Sequence, residues 1–68
     1  MDIETLHANL QRTIEGKQML QDEYRRNLRF VMLDSPEGQV MQTAIEFLEI
    51  NLDELRKIAA DVRQIKGN

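Results

Sequence analysis

The chain has no cysteine and no tryptophan, and only one proline, one histidine, one serine, three glycines and three aromatic residues among its 68. Each shortage closes a class of protein. Without cysteine there are no disulfides and no thiolate zinc sites. A single histidine cannot build a histidine-rich metal site within one chain. So few turn-forming residues do not suit an all-β domain. No apolar run approaches the roughly 18 residues of a membrane span. The opening residues include Asp2 and Glu4 rather than a basic region and an apolar core, so no secretory leader is expected and the cytoplasm is the expected location. A net charge of −3 offers nucleic acid no general attraction. Glycine-rich phosphate loops and nucleophile elbows are also missing, and the one serine, Ser35, stands where a helix begins. No catalytic residue, cofactor or metal is therefore expected.

What is present points to helices. The composition is 41% hydrophobic and 31% charged, too apolar for a disordered tail. In the first half Ile3, Leu6, Leu10, Ile14, Leu20, Tyr24, Leu28 and Val31 recur at helical steps, with one gap at Lys17. Asp2 serves as cap and Glu4 complements the helix dipole at the start; Arg25, Arg26 and Arg29 do so at the end. The pattern breaks at Asp34-Ser35-Pro36. Ser35 as cap with Pro36 in the first helical position is a strong start signal, with Asp34 and Glu37 as the alternative cap pair. A second helix follows. Met41, Leu48, Leu55 and Val62 form one row, Ala44, Asn51, Ile58 and Ile65 a companion row, and Ile45, Leu52 and Ala59 a third. Gly67 is a sensible stop. Asp22 with Arg26 and Asp53 with Lys57 have the spacing of stabilising helical ion pairs.

The expected fold is therefore all-α: an antiparallel two-helix hairpin forming a single domain. One helix runs over about residues 2–33, a turn over 34–35 and a second helix over about 36–66. So short a link forces the helices antiparallel and places residue i beside about residue 69 − i. Leu28 then meets Met41, Tyr24 meets Ile45, Leu20 lies by Leu48 or Glu49, and Ile14 meets Leu55. Leu10 meets Ala59, Leu6 lies by Val62 and Ile3 by Ile65. Lys17 or Gln18 interrupts the seam opposite Leu52 and Asn51, where a polar residue can fix register. Gly16, beside that layer, costs a helix about 1 kcal/mol relative to alanine.

Two helices share one seam, yet the apolar residues exceed what one seam can cover. Phe47 and Ile50 fall outside the three rows, and Phe30 and Met32 flank the first stripe. Phe30 to Leu33 is the longest apolar run and stands at the shoulder of the turn. One face of it can serve the seam; the others need another chain, unless Phe30 and Met32 fold over Val40 and Met41. The economical expectation is dimerisation into a four-helix bundle.

Three charged constellations remain. Glu4-Thr5-Leu6-His7 has the Glu-x-x-His spacing of carboxylate-bridged di-metal bundles, but residues 62–65, which would face it, carry no glutamate. A solvated His7 is the simpler reading. Glu46, Glu49, Asp53 and Glu54 form an acidic cluster, read as a solvated face that also lies near the arginines of the first helix. Arg25, Arg26 and Arg29 are a possible contact for an anionic partner. The leading expectation is a non-enzymatic interaction module that binds itself and another protein, with Phe30, Met32, Phe47 and Ile50 as anchors. Adaptor, small chaperone, inhibitor and assembly factor all fit. The alternative is a small dimeric nucleic-acid-binding regulator using Arg25, Arg26 and Arg29.

Overall fold

The computed structural model describes residues 1–67. Two α-helices, α1 (Ile3–Asn27) and α2 (Pro36–Gly67), pack antiparallel along their length, and a single 3-10 turn, Leu28–Phe30, joins α1 to the connecting loop. No strand occurs among the described residues. The hairpin is a rod of 50 × 16 × 15 Å, one helix pair thick.

Both helix starts are capped by side chains. The Thr5 amide donates to Asp2 Oδ1 at 2.7 Å, and this bond, the largest cause, holds the Asp2 carboxyl below its ordinary pKa. At α2 the Gly38 amide donates to Ser35 Oγ at 3.0 Å, while Gln39 N–H begins the helical ladder on the Ser35 carbonyl. Ser35 is thus the cap, with Pro36 in the first turn where its missing N–H costs nothing.

The first helix stops six residues short of the expected end at 33. Nothing between Asn27 and Leu33 breaks a helix locally. The cause lies across the turn. The chain must leave α1 early to double back within 16 Å of width, and Val31 is already extended, at φ −125° and ψ 154°. The loop then presses on α2 at Gly38, where a Cβ would collide with the Met32 carbonyl oxygen and come within 3.1 Å of Leu33 Cα. Three polar side chains close the loop's backbone bonds. Ser35 Oγ donates to the Met32 carbonyl at 2.6 Å, Gln42 Nε2 to the Leu33 carbonyl at 3.0 Å and Gln39 Nε2 to the Asp34 carbonyl at 3.4 Å.

The seam follows a strict alternation of three and four residues. On α1 its members are Ile3, His7, Leu10, Ile14, Lys17, Gln21, Tyr24 and Leu28, all buried or half-buried, and Val31 of the loop extends the row. On α2 the members are Gly38, Met41, Ile45, Leu48, Leu52, Leu55, Ala59 and Val62. Leu52 is the innermost, at 1% exposure. This corrects the expected seam at two places on α1 and in one row on α2. Leu6 and Leu20 stand one position off it, and His7 and Gln21 occupy the places assigned to them. The row that completes the α2 face is Ile45, Leu52 and Ala59, while Ala44, Asn51, Ile58 and Ile65 form its flank. His7 is therefore half-buried rather than solvated, with its Nε2 at 3.4 Å from Gln11 Nε2.

The register agrees with the short link. Four cross-helix polar contacts join Gln21 to Ile45, Glu4 to Lys66, Arg25 to Glu49 and Gln18 to Arg56, and the paired position numbers add to between 66 and 74 around the expected 69.

Candidate functional site

A helix turns about 100° per residue, so the residues beside a seam separate into two flanks. One flank of this hairpin carries Gln11, Gln18 and Arg25 of α1 against Gln42, Glu49 and Arg56 of α2. It is knitted by polar contacts. Arg56 Nη2 donates to Gln18 Oε1 at 2.7 Å, Gln18 Nε2 donates to Gln21 Oε1 at 3.3 Å, and Gln21 Nε2 donates to the Ile45 carbonyl at 3.1 Å. This relay runs from solvent into the seam and satisfies Gln21, which is only 3% exposed. Arg25 lies 3.9 Å from Glu49 on the same flank.

The opposite flank is different. It carries Leu6, Thr13, Leu20 and Asn27 of α1 and Ala44, Asn51, Ile58 and Ile65 of α2. The next row outward on α2 adds Val40 and Phe47, then turns acidic at Glu54 and Asp61. Met19 and Ile50 border this side on their respective helices, and both are exposed. Two shallow grooves open on the outer surfaces. One lies on α1 between Gly16, Met19, Leu20, Glu23 and Arg26. The other lies on α2 between Pro36, Val40, Thr43, Ala44 and Phe47. Gly16 has nothing within 4 Å of where a Cβ would stand, so no packing inside the hairpin requires a glycine there.

The four expected anchors all point outward: Phe30 is 84% exposed, Met32 71%, Phe47 66% and Ile50 61%. Phe30 and Met32 do not fold over Val40, which is itself exposed, so they do not seal the tip. Val31 alone of the four-residue run turns into the seam. The anchors fall into two places. Phe47 and Ile50 lie on the outer surface of α2 near mid-length, and Phe30 and Met32 lie at the tip with Leu33.

The arginines divide in two. Arg25 and Arg29 line one tip hollow with Leu28, Val31 and Leu33, and Arg25 also lies near Glu49 across the seam, whereas Arg26 borders the α1 groove. Of the expected helical ion pairs, Asp53 meets Arg56 at 3.7 Å rather than Lys57, and Asp22 accepts from Gln18 Nε2 at 3.2 Å rather than facing Arg26. Glu4, the carboxylate of the Glu-x-x-His run, lies 3.6 Å from Lys66 Nζ. Among the described residues no three His, Asp or Glu side chains converge as a metal site would require, and no helix is long and apolar enough to cross a membrane.

The sequence reading missed the Gln18–Gln21 relay and the two-sidedness of the hairpin. The signal for both was the three-four spacing itself: counted on from Ile14 through Lys17, it reaches Gln21 rather than Leu20. No family model, no curated protein and no solved structure matches this chain, so its surfaces carry the functional reading alone.

Proposed function

We propose that this protein is a non-enzymatic interaction module: a self-associating helical hairpin that pairs into a four-helix bundle and presents its remaining apolar surface to another protein. Adaptor, small chaperone, inhibitor and assembly factor are the roles that fit. One observation carries the reading. Among the described residues only four apolar ones, Leu48, Leu52, Ala59 and Val62, are buried, while twelve large apolar residues stand exposed. At ~25 cal/mol per Å² of apolar surface, covering even a few of them adds several kcal/mol. That is comparable with the whole stability of a domain this small. The anchors are Phe30, Met32, Phe47 and Ile50. Phenylalanine and methionine suit the task because they bring large area and adaptable shape. A cytoplasmic location goes with the reading, on the strength of an acidic, cysteine-free sequence.

The test is molar mass in solution across a dilution series from about 200 to 1 μM, for the natural chain and for Phe47→Asp. The reading expects a dimer or larger species that dissociates on dilution, and weaker association in the variant. A helical monomer at every concentration, with no companion captured from its host, would end it. Equal association and equal solubility of Phe47→Asp would remove that anchor.

A further inference from the structure

Resting on the self-association reading, we infer that the second copy docks on the flank bearing Leu20, Phe47 and Ile58, with the two tips at the same end and a two-fold axis along the rod. Four observations converge on this geometry.

The first is the asymmetry of the hairpin. One flank of the seam is closed by Arg56, Gln18, Arg25 and Glu49, whose polar groups already have partners. The other offers a row that repeats the three-four spacing of a helix-packing seam, apolar at Val40, Ala44, Phe47 and Ile58 and polar at Asn51 and Glu54. A second seam drawn beside the first is what a helix needs to touch two neighbours rather than one.

The second is area. A folded monomer of 8.0 kDa exposes roughly 4,450 Å² by the usual scaling of surface with mass. This hairpin exposes 5226 Å². The surplus, about 770 Å², is close to the ~800 Å² that each partner gives to an interface of standard size.

The third is the match of knob to groove. With the tips together, α2 of one copy runs antiparallel to α1 of the other, and the rule that pairs residue i with about 69 − i applies between copies as it does within one. Phe47 then stands level with the α1 groove of its partner copy, whose floor is Gly16, Met19 and Leu20. Phe30 stands level with the partner copy's α2 groove beside Pro36, Val40 and Thr43. The only two phenylalanines of the chain thus each stand level with a groove, Phe30 with a largely apolar one and Phe47 with one that adds Asp22, Glu23 and Arg26 to its apolar floor, and the two-fold axis makes each contact twice.

The fourth is charge. In this arrangement Arg12 of the second copy stands between the levels of Glu54 and Asp61, the acidic end of the docking row, and offsets the like charge of Glu15, which stands level with Glu54. Tips at opposite ends would instead set α2 against α2 and α1 against α1, so that Phe47 would not reach the α1 groove.

The experiment uses the full chain and three variants. Gly16→Leu puts a side chain into the groove at a position whose Cβ has nothing of its own hairpin within 4 Å. It is expected to keep its helical circular dichroism and to weaken association at least 10-fold. Because the chain has no cysteine, Met19→Cys and Ile50→Cys each introduce a single thiol. Mixed and joined by a short bis-maleimide, they are expected to give the heterodimer in clear excess over either homodimer. A natural chain that stays monomeric at 200 μM overturns the self-association reading and this inference together. A natural dimer that Gly16→Leu leaves intact, or whose thiols join only like with like, overturns the docking face and spares the reading. Should Gly16→Leu lose its helicity, the cross-linking result alone decides.

Discussion

Gln21 reaches across the seam and donates its side-chain amide to the backbone carbonyl of Ile45, 3.1 Å away. It does so from a position that a leucine would fill, level with Leu48. A buried amide costs desolvation unless both of its ends are bonded, and here Gln18 supplies the other end. Such a residue gives the helices one preferred offset at some loss of stability.

Replacing it separates the two effects. Gln21→Leu gains about 1.5–3 kcal/mol of side-chain burial. It gives up a hydrogen bond worth about 0.5–1.5 kcal/mol. The net expectation is a gain near 1 kcal/mol, read as a rise in thermal midpoint of roughly 4–8 °C. The variant should also populate more than one association state by sedimentation. A midpoint lower than that of the natural chain would show that the amide stabilises rather than specifies.

At Gly38 propensity and packing give opposite predictions. Helix propensity alone makes Gly38→Ala favourable by about 1 kcal/mol. The new methyl would meet the Met32 carbonyl, which is backbone and cannot swing aside. Overpacking of this kind costs about 1–3 kcal/mol, so the variant should be destabilised in urea unfolding. Unchanged or raised stability would mean that the tip is looser than described.

The Asp2 cap sets a dependence on pH. Its carboxyl titrates below the ordinary value because the charged form accepts the Thr5 amide. The sign follows directly: a depressed carboxylate stabilises the folded form above its unfolded pKa, and the contribution disappears as pH falls through the folded one. The first turn of α1 should therefore fray on acidification below the usual carboxylate range. Exchange of the Thr5 amide proton, followed by NMR, should accelerate there, while that of Asp2→Asn should not respond. Protection of Thr5 that is flat across the range would remove the cap from the account.

Nucleic acid provides the fourth check. Arg25 lies 3.9 Å from Glu49 and shares a tip hollow with Arg29, while Arg26 borders the α1 groove, which leaves Arg26 and Arg29 without an ion pair among the described residues. Binding through two arginines per chain would lose affinity with salt at a slope of only about −0.9 for each phosphate contact. No retention of generic RNA or DNA is expected at about 0.15 M salt. Binding that steepens at low salt and vanishes when Arg26 and Arg29 are both alanine would favour the regulator reading instead.

Much of the hairpin was legible in the sequence because local rules and long-range pairing agree in it. Ser35-Pro36 marks the start of α2 by cap chemistry alone, and the link it implies sets a register close to the one observed. The early end of α1 was not legible, because no residue from Leu28 to Leu33 carries a breaking signal. What ends the helix is the approach of Met32 to Gly38, a contact made in space. Gln21 was hidden for another reason: a count of apolar residues passes over an amide, whereas a count of spacing does not. The flank with Leu6, Leu20, Ile58 and Ile65 was mistaken for seam because apolar residues one position apart look alike until the partner helix is in place. Phe30, Met32, Phe47 and Ile50 were recognisable as apolar surplus, but their division between mid-rod and tip depends on directions that only the folded chain fixes.

The bonds on the Met32 carbonyl have one more consequence. Ser35 holds that oxygen with both its amide and its hydroxyl, so the main chain at the tip is set before anything touches it. Whatever binds the Met32 side chain need immobilise only a thioether and its rotamers, at about 0.5–1.5 kcal/mol, rather than freeze a wandering segment. Recognition at this end of the rod should accordingly be fast and reversible, with little rearrangement of the peptide that carries it.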